Sequence, residues 1–307
     1  MIDKLFDLFK IKIFYFSSNL SNLYVSVAKK IFQFIILKNE NIKSNYTSKD
    51  GHNVFIIVGN SHTFKIALYR KTKIHDELKK INLILAEYNQ FQYIFNRIEF
   101  KNIYSVKYLK SETLYPISPD NILNAAKFLY KMVKGKNNIV LKISDLPEIT
   151  CGLEIIEKKI KKDFFNKIEN LIKKHLETCN FTVGFCHGDF HKRNIMADLN
   201  GNFKYIDYDC IRINGIQEID CLYFLHDYYW DFYENNWQTT VADFFEFILS
   251  AKNEKKITSI FELKIDPTLL LLYFLDRVGQ EYLNENITIN EKVVNEIVTI
   301  LLRQKTV

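Results

Sequence analysis

The feature that most constrains this chain is a short island, residues 185–213, set in a C-terminal half that otherwise reads as helix. It runs FCHGDFHKRNIMADLNGNFKYIDYDCIRI, with tight turns, apolar pairs and clustered carboxylates. Two strand-like runs, 194–197 and 203–206, flank a turn at Leu199-Asn200-Gly201-Asn202. A hairpin there brings Asp189, Asn194 and Asp207 to one end. That grouping suits phosphoryl transfer. One carboxylate orients or deprotonates an attacking hydroxyl, while a second carboxylate and an amide oxygen suit magnesium on nucleotide phosphates.

The rest of the chain organises around this island. Residues 1–38 read as two helical pieces, with Leu20, Leu23, Tyr24, Val27, Ile31, Phe34 and Ile35 forming one apolar stripe. The stripe is expected to pack on the protein. The alternative is peripheral membrane contact, with Lys12, Lys29, Lys30 and Lys38 toward head groups. Residues 39–52 are polar and loop-like. Strand-like runs at 54–58 and 63–69 follow, joined by a Gly59-Asn60-Ser61-His62 turn. A helical pattern spans 73–95, and 98–109 looks like a single strand, with Pro116 and Pro119 ending the segment. Helices are then expected at 120–134, 163–179, 219–235, 240–251, 267–284 and 290–303. The expected class is α+β: a helical extension (1–45), a small strand-rich lobe (46–116) and a larger helical lobe (117–307).

His187-Gly188-Asp189-x-x-x-x-Asn194, followed thirteen residues later by Ile206-Asp207-Tyr208-Asp209, resembles the aminoglycoside phosphotransferase and choline kinase family, which shares the protein-kinase-like fold. The closest matches span residues 185–222, with a weaker match reaching back to about residue 54. The resemblance implies that Asp189 is the catalytic base and that Asn194 and Asp207 bind metal. It implies that His187 braces the loop, that His191 matches a family loop histidine, and that Asp220 holds the loop from behind. The implied cofactors are ATP, with GTP as the alternative nucleotide, and Mg²⁺.

A kinase also needs a strand lysine on the phosphates and a glutamate to orient it. Lys65, flanked by apolar Phe64 and Ile66, should point opposite to them. Glu77 is the candidate glutamate, with Glu87 its rival. Only Gly59-Asn60-Ser61 is available to cover the phosphates. The chain has 9 glycines and no G-x-G-x-x-G, so the nucleotide loop should be short. No A-P-E segment follows Asp207, which argues against a protein substrate.

For the acceptor, Asp227, Asp231 and Glu234 fall at helical spacing as one acidic face, beside Trp230, Tyr233 and Trp237. Carboxylates beside aromatic rings suit a cationic acceptor such as an amino sugar or amino alcohol. Asp209 is a further candidate substrate contact. A neutral sugar or glycan precursor is the competing acceptor class. A net charge of +6, carried by dispersed lysine pairs, gives no expectation of a nucleic-acid partner. Five cysteines without a C-x-x-C pair, and no signal pattern, place the expected setting in the cytoplasm, with the inner membrane face tied to residues 1–38. Rival readings are a nucleotide-binding pseudokinase scaffold, a metallophosphoesterase and a D-x-D glycosyltransferase. The last two leave Asp189 and Asn194, or the missing metal ligands, unexplained.

Overall fold

Backbone pairing of apolar segments sets the first part of the architecture. In the computed structural model the described residues are 42–47, 54–67, 82, 91, 93–95, 98–103, 106–135, 138–139, 142, 145–176, 181–208, 210–231, 236–250, 253, 260–285 and 289–303. The expected helices at 1–38, nearly all of the one at 73–95, and Glu77, Glu87, Cys179, Asp209, Tyr233 and Glu234 lie outside them. By contacts the chain divides into two compact units: Met1–Ile117 with Met196–Asp209, and Ser118–Ile195 with Cys210–Val307.

The first unit holds a five-stranded antiparallel sheet of β1 (Ile42–Thr47), β2 (Val54–Gly59), β3 (His62–Ala67), β4 (Ile98–Ile103) and β5 (Val106–Glu112), in the order β1-β2-β3-β5-β4. Two expectations are corrected here. The single strand at 98–109 is a hairpin, closed by the pair Ile103 and Val106. The polar loop at 39–52 contains β1, an edge strand pairing Thr47 with Phe55. An edge ladder needs only backbone donors and acceptors on one side, so its polar side chains conceal it from a periodicity argument. Short strands β6 (Tyr115–Pro116), β9 (Ile195–Ala197) and β10 (Phe203–Tyr205) form a second sheet, ordered β10-β9-β6.

The second unit opens on α1 (Pro119–Val133), whose proline sits in the first turn where its missing N–H costs nothing. Next come β7 (Asn138–Ile139), α2 (Pro147–Lys159), α3 (Lys162–Leu176) and β8 (Phe181–Cys186). Strand β11 (Arg212–Ile216) pairs with β8 in a sheet ordered β11-β8-β7. The helices α4 (Gln217–Trp230), α5 (Trp237–Leu249), α6 (Pro267–Glu285) and α7 (Glu291–Arg303) complete the unit.

Helix α2 is absent from the sequence expectation because Thr150-Cys151-Gly152 is a weak helix-forming centre. Its glycine serves packing instead. A Cβ on Gly152 would overlap the carbonyl oxygen of Leu275 in α6, and one on Gly279 would overlap that of Glu148 in α2. The two backbones therefore touch where side chains are missing. Helix α6 is buried all round through Leu269–Leu275, as a central core helix must be.

Helix α4 stops at Trp230, short of the expected 235, because Asp231 takes a left-handed φ of 45° as its C-cap. Asp231 thus closes α4, and Trp237 opens α5.

Candidate active site

Residues 187–192 form a loop between β8 and a one-turn 3-10 helix at Lys192–Asn194, and one face of α4 holds it. Asp220, Tyr223 and Asp227 fall at i, i+3 and i+7, the spacing of a single helical stripe. Asp220 accepts the backbone N–H of His187 at 2.5 Å and that of Gly188 at 2.9 Å. Tyr223 donates its hydroxyl to Asp189 Oδ1 at 2.6 Å. Asp227 accepts the Lys192 N–H at 3.1 Å. Three side chains on three successive turns therefore fix the loop at its start, middle and end. Gly188 is obligatory: its φ is +75°, and a Cβ would overlap the Cys210 carbonyl oxygen.

Asp189 lies at the centre of this frame with 20% of its side chain exposed. Asn194 donates its amide to Asp189 Oδ2 at 3.0 Å and to the Asp189 carbonyl at 2.9 Å. His191 Nδ1 accepts the Arg193 N–H. Its Nε2 lies 3.4 Å from Asp189 Oδ2. His187 accepts the N–H of Asp189 at 3.3 Å and is fully buried. Burial raises the Asp189 carboxyl, but the His191 contact and the Tyr223 hydrogen bond outweigh it and hold the group well below the usual carboxylate range.

The carboxylates behind the loop differ in kind. Burial pushes Asp220 up to about 7, against the pull of the nearby Arg212 guanidinium and the two N–H donors. Arg212 is itself tied to Asp276 and Glu148. Burial likewise raises Asp227, which is wholly inaccessible and whose Oδ1 has no hydrogen-bond partner among the described residues. Asp231 is held by Lys192 at 2.8 Å and Arg193 at 3.3 Å.

In the first unit, Phe64 is buried on one face of β3, and Lys65 lies on the other with its Nζ 3.9 Å from Asp207 Oδ1. Asp207 is half exposed and adopts a left-handed φ of 59°. The Gly59-Asn60-Ser61 turn is tied down by its carbonyls: Thr113 Oγ1 donates to Gly59 O at 2.9 Å, the Thr113 N–H to Ser61 O at 3.0 Å, and Tyr115 OH to Asn60 O at 3.4 Å.

Neither a family profile nor a curated protein matches the chain. Solved structures do. The choline kinase LicA from Streptococcus pneumoniae superposes with a TM-score of 0.53 over 92% of this chain and 99% of its own, at 12% identity. A thermostable mutant of the aminoglycoside phosphotransferase APH(4)-Ia gives 0.54 over 90% and 99%, at 11% identity. Wild-type aminoglycoside 2'-phosphotransferase-IIIa, in its GDP complex, gives 0.51 over 91% and 97%, at 12% identity. The fold is protein-kinase-like.

Within this kinase-like fold, the expected residues Asp189, Asn194, His187, His191 and Asp220 come together in one loop and its support. Lys65 and Asp207 come together in the other unit. Of the expected acceptor residues that are described, Asp227 is buried beneath the loop, Asp231 is paired, and Trp230 packs on Phe244 and Phe247. Two residues that sequence reasoning missed, Tyr223 and Arg277, join this arrangement, the first by its hydrogen bond to Asp189. Arg277, from α6, stacks 4.2 Å over the Tyr223 ring and 5.5 Å from that of Trp237. The spacing of Tyr223 from Asp220 carried a signal for the first; nothing local marked Arg277. Among the described residues no helix is long and apolar enough to cross a membrane.

Proposed function

We propose that the chain transfers the γ-phosphoryl group of ATP to a hydroxyl of a small non-protein acceptor, and that this acceptor is a neutral sugar or glycan precursor rather than an amine. The observation that carries the reading is Asp189: an ionised, partly exposed carboxylate whose neighbours are buried and aimed at it. A carboxylate so held can align an acceptor hydroxyl and take its proton as the oxygen attacks phosphorus. Phosphoryl transfer asks chiefly for positioning and charge neutralisation, and a loop tied down at both ends supplies the first.

Asn194 and Asp207 are the residues that would hold Mg²⁺. The Asn194 amide nitrogen is spent on Asp189, which leaves its amide oxygen as the open donor, and Asp207 offers a half-exposed carboxylate. These are hard oxygen ligands. Among the described residues there is no cluster of three or more His, Cys, Asp or Glu, so the fit is to a cation that takes few protein ligands and the rest from phosphate and water. When bound, Mg²⁺ would neutralise charge on the transferring phosphoryl group. Lys65 would add a second positive charge there, and the short, pinned Gly59-Asn60-Ser61 turn would cover the phosphates. The solved structures of similar fold include choline and aminoglycoside kinases, among them a GDP complex, which supports a nucleotide role.

The preference for a neutral acceptor follows from where the cation-binding groups have gone. The faces of Tyr223 and Trp237 already carry the Arg277 guanidinium, Asp231 carries Lys192 and Arg193, and Asp227 is sealed from solvent. Among the described residues, Tyr223, Trp237 and Asp231, which could have caged an ammonium group, are occupied by the protein's own cations.

The test is Mg·ATP consumption across a panel of free sugars, sugar-containing glycan precursors, nucleosides, choline, ethanolamine and aminoglycosides. Turnover stimulated by a neutral polyol, and reduced about 10²–10⁴-fold in Asp189→Asn, is the expected result. An Asp189→Asn variant as active as the parent overturns the assignment of the base. Stimulation by cations alone overturns the acceptor class.

A further inference from the structure

We propose that Tyr223 is a positioning residue for phosphoryl transfer: its hydroxyl, clamped by Arg277, fixes the Asp189 carboxylate in the one orientation that leaves a single open site on Oδ1 for the acceptor. This rests on the reading of Asp189 as the group that receives the acceptor's proton.

The argument is an inventory of lone pairs. A carboxylate offers about four acceptor sites, two on each oxygen. On Asp189, Oδ2 takes the Asn194 amide at 3.0 Å, with the buried His191 Nε2 3.4 Å away. Oδ1 takes the Tyr223 hydroxyl at 2.6 Å. That leaves one site on Oδ1, next to Tyr223. As the acceptor oxygen bonds to the γ-phosphorus and the bond to the bridging oxygen of ADP breaks, the acceptor's proton passes to that site. Without the Tyr223 hydroxyl the carboxylate has two openings on Oδ1 and is held only through Oδ2.

The tyrosine is built to stay in place. Its ring is 3% exposed, and it lies one turn beyond Asp220, which secures the same loop. Arg277 stacks over the ring, and Arg277 is in turn held by Glu281 at 2.6 Å and Gln280 at 3.3 Å. A guanidinium on the face of a phenol draws charge from it and strengthens its O–H as a donor. Among the described residues, the other polar contacts to the carboxylate come from the catalytic loop and the turn that follows it, and Tyr223 is the donor supplied by a core helix.

Tyr223→Phe keeps the ring and removes only the hydroxyl, and turnover would be followed as ATP hydrolysis with water as acceptor. The expected result is a fall in kcat of about 10–100-fold with the KM for Mg·ATP unchanged, and no further fall when the same substitution is made in Asp189→Ala. That non-additivity is what a residue acting through Asp189 must show, and a packing role would not produce it. A Tyr223→Phe enzyme within twofold of the parent, in a protein that Asp189→Ala inactivates, overturns this proposal and leaves the Asp189 reading intact. Full activity in Asp189→Ala removes the Asp189 reading itself. The hydrogen bond has a test independent of turnover: the four proteins of that cycle, unfolded in urea, should show at least fivefold coupling in the unfolding constant, and coupling below twofold overturns the proposal.

Discussion

Asp220 ties two consecutive backbone N–H groups to one carboxylate in a site that is 5% exposed. Asp220→Asn replaces one acceptor oxygen with a donor that faces an N–H. One buried N–H then loses its partner, which costs about 1–3 kcal/mol. The same change loosens the segment carrying Asp189, so turnover should fall by tenfold or more. Urea unfolding and Mg·ATP turnover on the same preparation would read both effects; a variant with parental stability would show that the carboxylate is not what holds His187 and Gly188. Asp189 presents the opposite situation. Its own donors keep it ionised although burial works against the charge.

At the scale of elements, one helix organises the loop and one helix pair organises the helix. The stripe Asp220, Tyr223, Asp227 on α4 meets residues 187–192 at three points. Helix α6 brings Arg277 to Tyr223, and α6 is seated by its glycine contact with α2. Gly152→Ala or Gly279→Ala places a methyl group on backbone that cannot yield like a side chain, and each should destabilise by about 1–3 kcal/mol or more. Part of the loss should appear as lower turnover, since Arg277 shifts with α6. Thermal denaturation checks the first effect, and a variant melting with the parent would show that the helices can part at no cost.

At the scale of the whole molecule, Lys65 and Asp207 lie in one compact unit and Asp189 and Asn194 in the other. The second unit also contains a buried histidine that links its stability to pH. His226 lies between the Tyr273 hydroxyl and Thr240 Oγ1, each 2.8 Å away, and stacks on Phe244. Burial, and then the Arg277 charge, hold its imidazole well below the ordinary 6.5. In the unfolded chain it titrates near that ordinary value, so below it the unfolded state binds a proton that the folded state refuses. Stability from this group is therefore present above pH ~6.5 and lost as the pH falls through it, by up to about 1.4 kcal/mol per pH unit. The melting temperature should drop between pH 7.5 and 5.5, and the drop should be shallower in His226→Gln. Equal slopes in the two proteins would exclude His226 as the cause.

The motif resemblance implied the kinase-like fold, and residue type and spacing alone made legible the pairing of Asn194 with Asp189 and the place of Lys65 on β3 opposite Phe64, because each depends on neighbours within one loop or one strand. Helix α1 and helices α3 to α7 were legible for the same reason: an apolar stripe is a local signal. What tertiary structure alone decided depends on partners distant in sequence. Strand β1 exists because β2 offers it a ladder, not because its side chains ask for one. Helix α2 survives a central glycine because α6 fits against it. Acidic and aromatic residues near 227–237 suggested a cage for a cation, and the fold filled that role with Arg277, forty residues from Trp237 in the chain. Local pattern specifies which groups are present; only packing specifies which of them are already satisfied, and a satisfied group cannot bind a substrate.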